Sequence, residues 1–179
     1  MSETEKSVVE AIRNARASVG GLKLSERVLN MMDSPTLRPL SREYLFPKEP
    51  SYDNPIIGFI HVPGYVWTIN IIMSNGEQSN LPIREEYRED YEEVRINPAD
   101  AAVKKVVVYS CRDLEGIRFY DKDDTILLKA GDPGDDSYHF AECILDEGQR
   151  LIGVKSRVFI DEDGAAYQFD FRFIIGWQE

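Results

Sequence analysis

From residue 56 onward, apolar and polar residues alternate in short runs, and the alternation has a period of two. Tyr167, Phe169, Phe171, Phe173 and Ile175 fall on one side of such a run, and Gln168, Asp170, Arg172 and Ile174 on the other. Period two is the signature of a strand with one face on a core, so the aromatic set is expected inside. Ile117-Arg118-Phe119-Tyr120 repeats the pattern. The spacing predicts strands over 56–62, 65–73, 78–83, 94–96, 103–110, 114–120, 125–129, 139–145, 150–160 and 166–175. Turn chemistry separates them: Pro63-Gly64, Asn75-Gly76, Asp121-Lys122-Asp123-Asp124, Asp132-Pro133-Gly134, Asp146-Glu147-Gly148 and Asp161-Glu162-Asp163-Gly164. Gly, Pro, Asn and Asp in clusters supply the backbone angles that tight turns need. Strands at intervals of about 8–12 residues fit an all-β fold, an antiparallel prism, sandwich or barrel, and not βαβ units.

The first part of the chain reads differently. Val8, Ile12, Ala15 and Val19 recur at helical spacing, Ser2 and Glu5 can close a capping box, and Gly20-Gly21 stops the run. A second short helix is expected from Ser25, carrying Val28, Leu29 and Met32. Prolines at 35, 39, 47, 50 and 55 then predict an extended arm. The expected organisation is a helical and proline-rich arm over 1–54, followed by an all-β domain over 55–179. The polar stretch 84–93, with six acids and two arginines, is expected as a helical turn or surface loop with Tyr87, Tyr91 and Val94 on one face.

Charge narrows the partners. The chain has 32 acidic and 21 basic residues, a formal net charge of −11. Residues 1–50 carry eight Lys/Arg against seven Asp/Glu, so the whole acidic surplus belongs to the rest. Such a surface repels nucleic acid phosphates and anionic membranes; a basic protein partner or a divalent cation fits better. No apolar run approaches the roughly 18 residues of a membrane span, and Met1-Ser2-Glu3-Thr4-Glu5 lacks the features of a secretory leader. A cytoplasmic location is expected. Cys111 and Cys143 are too few for a disulfide framework and read as free thiols in strands.

Catalytic chemistry is not written in any local motif. His61 and His139 each stand in a strand-like run without a second histidine nearby, the cysteines lack paired metal-ligand spacing, and Gly20-Gly21 lacks the lysine and serine of a phosphate loop. No cofactor and no resident metal are expected. Calcium is the one ion that the acidic turns 132–136 and 161–164 invite, although neither follows the EF-hand pattern. Aromatic side chains near loops and strand ends are the remaining handle, because they stack on sugars and anchor interfaces. The candidate binding residues are Trp67, Tyr87, Tyr91, Asp161, Asp163, Gly164 and Trp177.

Residues 103–175 resemble jacalin-like repeats. The resemblance lies in Val106-Val107-Val108 before Leu114-Glu115-Gly116-Ile117-Arg118-Phe119, and in Ile144-Leu145-Asp146-Glu147-Gly148-Gln149-Arg150-Leu151-Ile152-Gly153-Val154. More loosely, the stretch is similar to repeat-type β modules of ciliated protists. The resemblance implies a β-prism of three four-stranded sheets and sugar binding. Its Gly-x-x-x-Asp sugar loop is altered, since Gln168 stands four residues after Gly164. The expectation is a non-enzymatic binding or scaffolding module acting through protein–protein contacts, with a jacalin-like carbohydrate-binding module, a lectin, as the alternative.

Overall fold

The computed structural model describes residues 22–28, 41–62, 65–83, 89–110, 114–131, 139–160, 162, 164 and 166–178. Eleven strands account for most of them: β1 (Leu22–Val28), β2 (Arg42–Phe46), β3 (Ile56–Val62), β4 (Tyr65–Met73), β5 (Glu92–Arg95), β6 (Lys105–Ser110), β7 (Leu114–Tyr120), β8 (Ile126–Gly131), β9 (His139–Ile144), β10 (Arg150–Ile160) and β11 (Ala166–Gln178). No α-helix occurs among the described residues, and none of their helices is long and apolar enough to cross a membrane.

The strands form three antiparallel sheets. The first has the order β1-β11-β10-β2, the second β4-β3-β5 and the third β8-β7-β6-β9. Their inner faces share one core, to which each sheet contributes a phenylalanine. Phe59 of β3 meets Phe119 of β7 edge-on at 5.4 Å between ring centres, and Phe119 meets Phe173 of β11 at 6.1 Å. All three rings are fully buried. Edge-to-face contacts of this kind add to the burial itself. Ile69, Ile71, Met73, Val106, Val108, Ile117, Val154 and Ile175 fill the space around them. On β11, Ile152 of β10 packs where a side chain on Gly176 would stand, since a Cβ there would lie 2.6 Å from the Ile152 Cδ1.

Several expectations are corrected. Ser25–Val28, expected to open a helix, lie in β1 and pair with β11. Within the stretch read as an extended arm, residues 42–46 form β2, which pairs with β10 from Val154↔Phe46 to Val158↔Arg42. The helical pattern over 2–19 and the acidic turn over 132–136 fall outside the described residues. The strand expected over 78–83 is reduced to one bridge, Ile72↔Gln78. Side chains take over the pairing there. Ser79 Oγ accepts from the Ile71 N–H at 2.7 Å, and Asn70 Oδ1 accepts from the Leu81 N–H at 2.7 Å. Val94 lies in β5 and not on a helical face, because β5 pairs with β3 from Gly58↔Arg95 to His61↔Glu92.

Gln168 was expected on the open face and is buried instead. Its Oε1 accepts from the Ile69 N–H at 3.0 Å, and its Nε2 donates to Ser156 Oγ at 3.1 Å. Beside it, Thr68 Oγ1 donates to the Ala166 carbonyl. These bonds satisfy the outer edge of β4, where backbone groups would otherwise be buried unpaired.

Candidate functional site: a groove at the crossover end

The chain passes from sheet to sheet three times. Residues 47–55 lead from the first sheet to the second, 96–104 from the second to the third, and 145–149 from the third back to the first. All three connections lie at one end of the molecule, because β3, β6 and β10 all start there. The hairpins β3–β4, β6–β7 and β10–β11 turn at the other end.

The crossovers are pinned to the sheets and to one another. The Ile96 N–H donates to Ile57 O at 2.8 Å, the Asn97 N–H to Leu127 O at 3.0 Å, the Lys104 N–H to Tyr120 O at 2.8 Å, and the Leu145 N–H to Lys104 O at 2.8 Å. The Lys104 ammonium also donates to the Leu145 carbonyl. On the first crossover, Asn54 Oδ1 accepts from Ser74 Oγ at 3.1 Å and from the Asn75 N–H at 2.9 Å.

Between these connections runs a groove of about 530 Å³. Ile56, Ile96, Leu145 and Leu151, all core residues, line it together with Ala101 and Val103. Five of its polar groups come from the three crossovers and the start of β10: Tyr52 and Asp53, Asp100, and Gln149 and Arg150. Apolar lining with a few convergent polar groups is the usual character of a small-ligand site, and the volume lies in the usual range of about 300–1,000 Å³.

Tyr52 is held from two directions. Its hydroxyl donates to Gly148 O at 2.9 Å, and Arg150 Nη1 donates to the Tyr52 carbonyl at 3.2 Å. The Arg150 guanidinium also lies over the Tyr52 ring, 4.3 Å from its centre. Gly148 supplies the turn that makes this fit, with φ at +80°, a left-handed angle natural to glycine. The same turn fixes Gln149, whose Oε1 accepts from the Asp146 N–H at 2.8 Å. The result is a preset aromatic ring and amide beside two exposed carboxylates that line one recess. Preset groups of this kind lower the ordering cost of binding.

None of the five polar groups was among the residues expected from sequence. Of the expected set, Tyr87, Asp161 and Asp163 lie outside the described residues. Trp67 belongs to β4. Trp177, near the end of β11, is half-buried and packs against the core at the crossover end. Tyr91, 39% exposed, immediately precedes β5 at the opposite end, and Gly164 turns the β10–β11 hairpin there with φ at +81°. The structure therefore places Trp177 at one end and Tyr91 and Gly164 at the other. Among the described residues, no three His, Cys, Asp or Glu side chains are grouped to hold a metal ion, and the acidic turns proposed for calcium are largely outside those residues.

A second surface feature lies on the outer face of the third sheet. Lys105 sits over the Tyr120 ring at 4.6 Å and Arg118 over the Tyr109 ring at 5.1 Å. The hydrogen bond that the Lys105 ammonium donates to Asp124 holds the Lys105 pKa above its ordinary value, and burial pushes the Tyr109 phenol up despite the nearby Arg118. Ile126 and Ile144, on the two edge strands of this sheet, are 47% and 60% exposed.

No protein-family model matches this chain, and no curated protein matches it. Solved structures similar to it include PirB, with 19% identity and a TM-score of 0.43 over 70% of this chain and 29% of that one. The second β-prism domain of RbmC from V. cholerae has 14% identity and a TM-score of 0.44, over 75% of this chain and 97% of that domain. The same domain bound to N-acetylglucosaminyl-β-1,2-mannose has 13% identity and a TM-score of 0.43, over 73% and 96%. This chain thus spans less than a third of PirB.

Proposed function

We propose that this chain is a non-enzymatic binding module and that its ligand is a short saccharide held in the crossover groove. One observation carries the reading: three connections distant in sequence converge on a recess of about 530 Å³ and hold Tyr52 in a fixed orientation there. A sugar presents C–H faces and a ring of hydroxyls. The apolar lining and the Tyr52 ring suit the first, and Gln149, Asp53 and Asp100 suit the second.

The test is direct binding of an oligosaccharide panel to the full chain and to two variants, Tyr52→Ala and Ala101→Trp. The first removes the ring and the second fills the recess. Binding of at least one saccharide, weakened about tenfold or more by either change, is expected from the loss of an aromatic contact. Binding that neither variant alters would place the ligand elsewhere.

A protein partner is the second reading. It is favoured by the exposed Ile126 and Ile144, which flank the cation–aromatic pairs of the third sheet. Exposed aliphatic side chains beside aromatic rings and guanidinium groups are the usual makings of an interface centre.

A further inference from the structure

We propose that the groove selects saccharides bearing a free amine, with Asp53 and Asp100 as the selecting residues; this rests on the reading of the groove as a saccharide site. Three side chains that line it carry charge: Asp53, Asp100 and Arg150. The arginine keeps its charge but is held against Tyr52. Its guanidinium covers the Tyr52 ring and donates to the Tyr52 carbonyl at 3.2 Å. The two aspartates are exposed, and neither side chain has a hydrogen-bond or ion-pair partner among the described residues.

The surroundings reinforce the imbalance. The three crossovers together carry Glu49, Asp53, Asp100, Asp146 and Glu147 against Lys48 and Lys104. Lys104 donates to the Leu145 carbonyl and keeps its charge; five acids against Lys48, Lys104 and the adjoining Arg150 still leave the set at −2. The recess thus lies in a negative field within a chain of net charge −11.

An ammonium group has three donors and no acceptor. It gains from carboxylates that have no other partner, and such charge-assisted bonds are roughly twice as strong as neutral ones. An N-acetyl or hydroxyl group in the same place can still donate to the carboxylates, but it brings no charge of its own and gains no ion-pair attraction. A uronate or sulfate meets repulsion from both aspartates, offset only in part by the single charge of Arg150. The expected order of affinity is amine first, neutral second, anionic last. Because both carboxylates face solvent, the gain is modest, about fivefold for each pair at low salt, and it shrinks as salt screens it.

The test compares a glucosamine oligomer, its N-acetylated counterpart and a galacturonate oligomer by calorimetry on the full chain, at a pH where the amine is protonated. Asp53→Asn, Asp100→Asn and the double variant are measured beside it. These are exposed, isosteric changes, and thermal melting confirms that each variant is folded. The proposal expects the amine oligomer to bind tightest. Its advantage over the N-acetylated oligomer should fall in each single variant and vanish in the double variant and in high salt. An N-acetylated oligomer that binds as well as the amine overturns the selectivity and leaves the groove as a neutral-sugar site. So does an advantage that survives the double variant. Failure of all three saccharides to bind overturns the saccharide reading itself. A basic peptide that binds in their place, and loses affinity in the double variant, would assign the groove to a protein partner.

Discussion

His61 shows how one buried side chain ties two sheets. It stands near the end of β3, 3% exposed, and its Nδ1 accepts from the Gly131 N–H of β8 at 3.2 Å. Nδ1 can accept only when it carries no proton, so the ring is neutral in the fold, with its hydrogen on Nε2. That Nε2 has no partner among the described residues. Burial pushes the His61 pKa below 6.5, against a smaller opposite pull from Glu92 on β5. In the unfolded chain the ring recovers its ordinary value. As pH falls below 6.5, the unfolded state therefore takes up a proton that the folded state refuses, and stability drops. Above 6.5 this contribution is complete. Unfolding measured between 6.5 and the carboxylate range near about 4.3 should show a slope that a His61→Gln variant flattens, since glutamine still accepts from Gly131 but does not titrate. An unchanged slope in the variant would contradict this. Sequence placed His61 in a strand without seeing the bond, because its partner lies 70 residues away. Gln168 misled for the same reason. Alternation put it on the polar side of β11, and the buried acceptor role for Ile69 depends on which sheet lies across from it.

At the level of elements, apolar runs bounded by turn residues were a good guide. The observed β3, β4, β7 and β10 match their expected bounds. They failed as a guide where pairing is supplied from afar. The run Leu22–Val28 has too few apolar residues to mark either state, and its pairing with β11 decides it. The Arg42–Phe46 strand was hidden by flanking prolines. The third sheet also carries a function-level question on a single element. Ile144 projects from the edge strand β9, beside the Lys105 and Glu142 positions of the same outer face. If a protein partner docks on this sheet, Ile144→Asp should abolish its capture by the full chain while leaving saccharide affinity unchanged. Retention of the partner would remove the third sheet as its docking face. An aspartate there costs little folding stability, because the side chain is already 60% exposed.

For the whole molecule, the core was legible and the groove was not. Phe119 and Phe173 fall on apolar faces that the alternation predicts, and their meeting with Phe59 follows once three sheets close on one interior. The groove has no such local signature. Tyr52 and Asp53 sit among prolines, Asp100 follows Asn97-Pro98-Ala99, and Gln149 belongs to a turn; each reads as ordinary loop chemistry. Only the convergence of three connections, each about 50 residues from the next, makes them neighbours. We therefore propose the crossover end as the working surface of the molecule. The most direct test is an amide chemical-shift map of the full, ¹⁵N-labelled chain titrated with the tightest-binding saccharide. The shifts are expected to cluster in residues 47–55, 96–104 and 145–150. Shifts confined to the hairpin end, around residues 161–165, would contradict it.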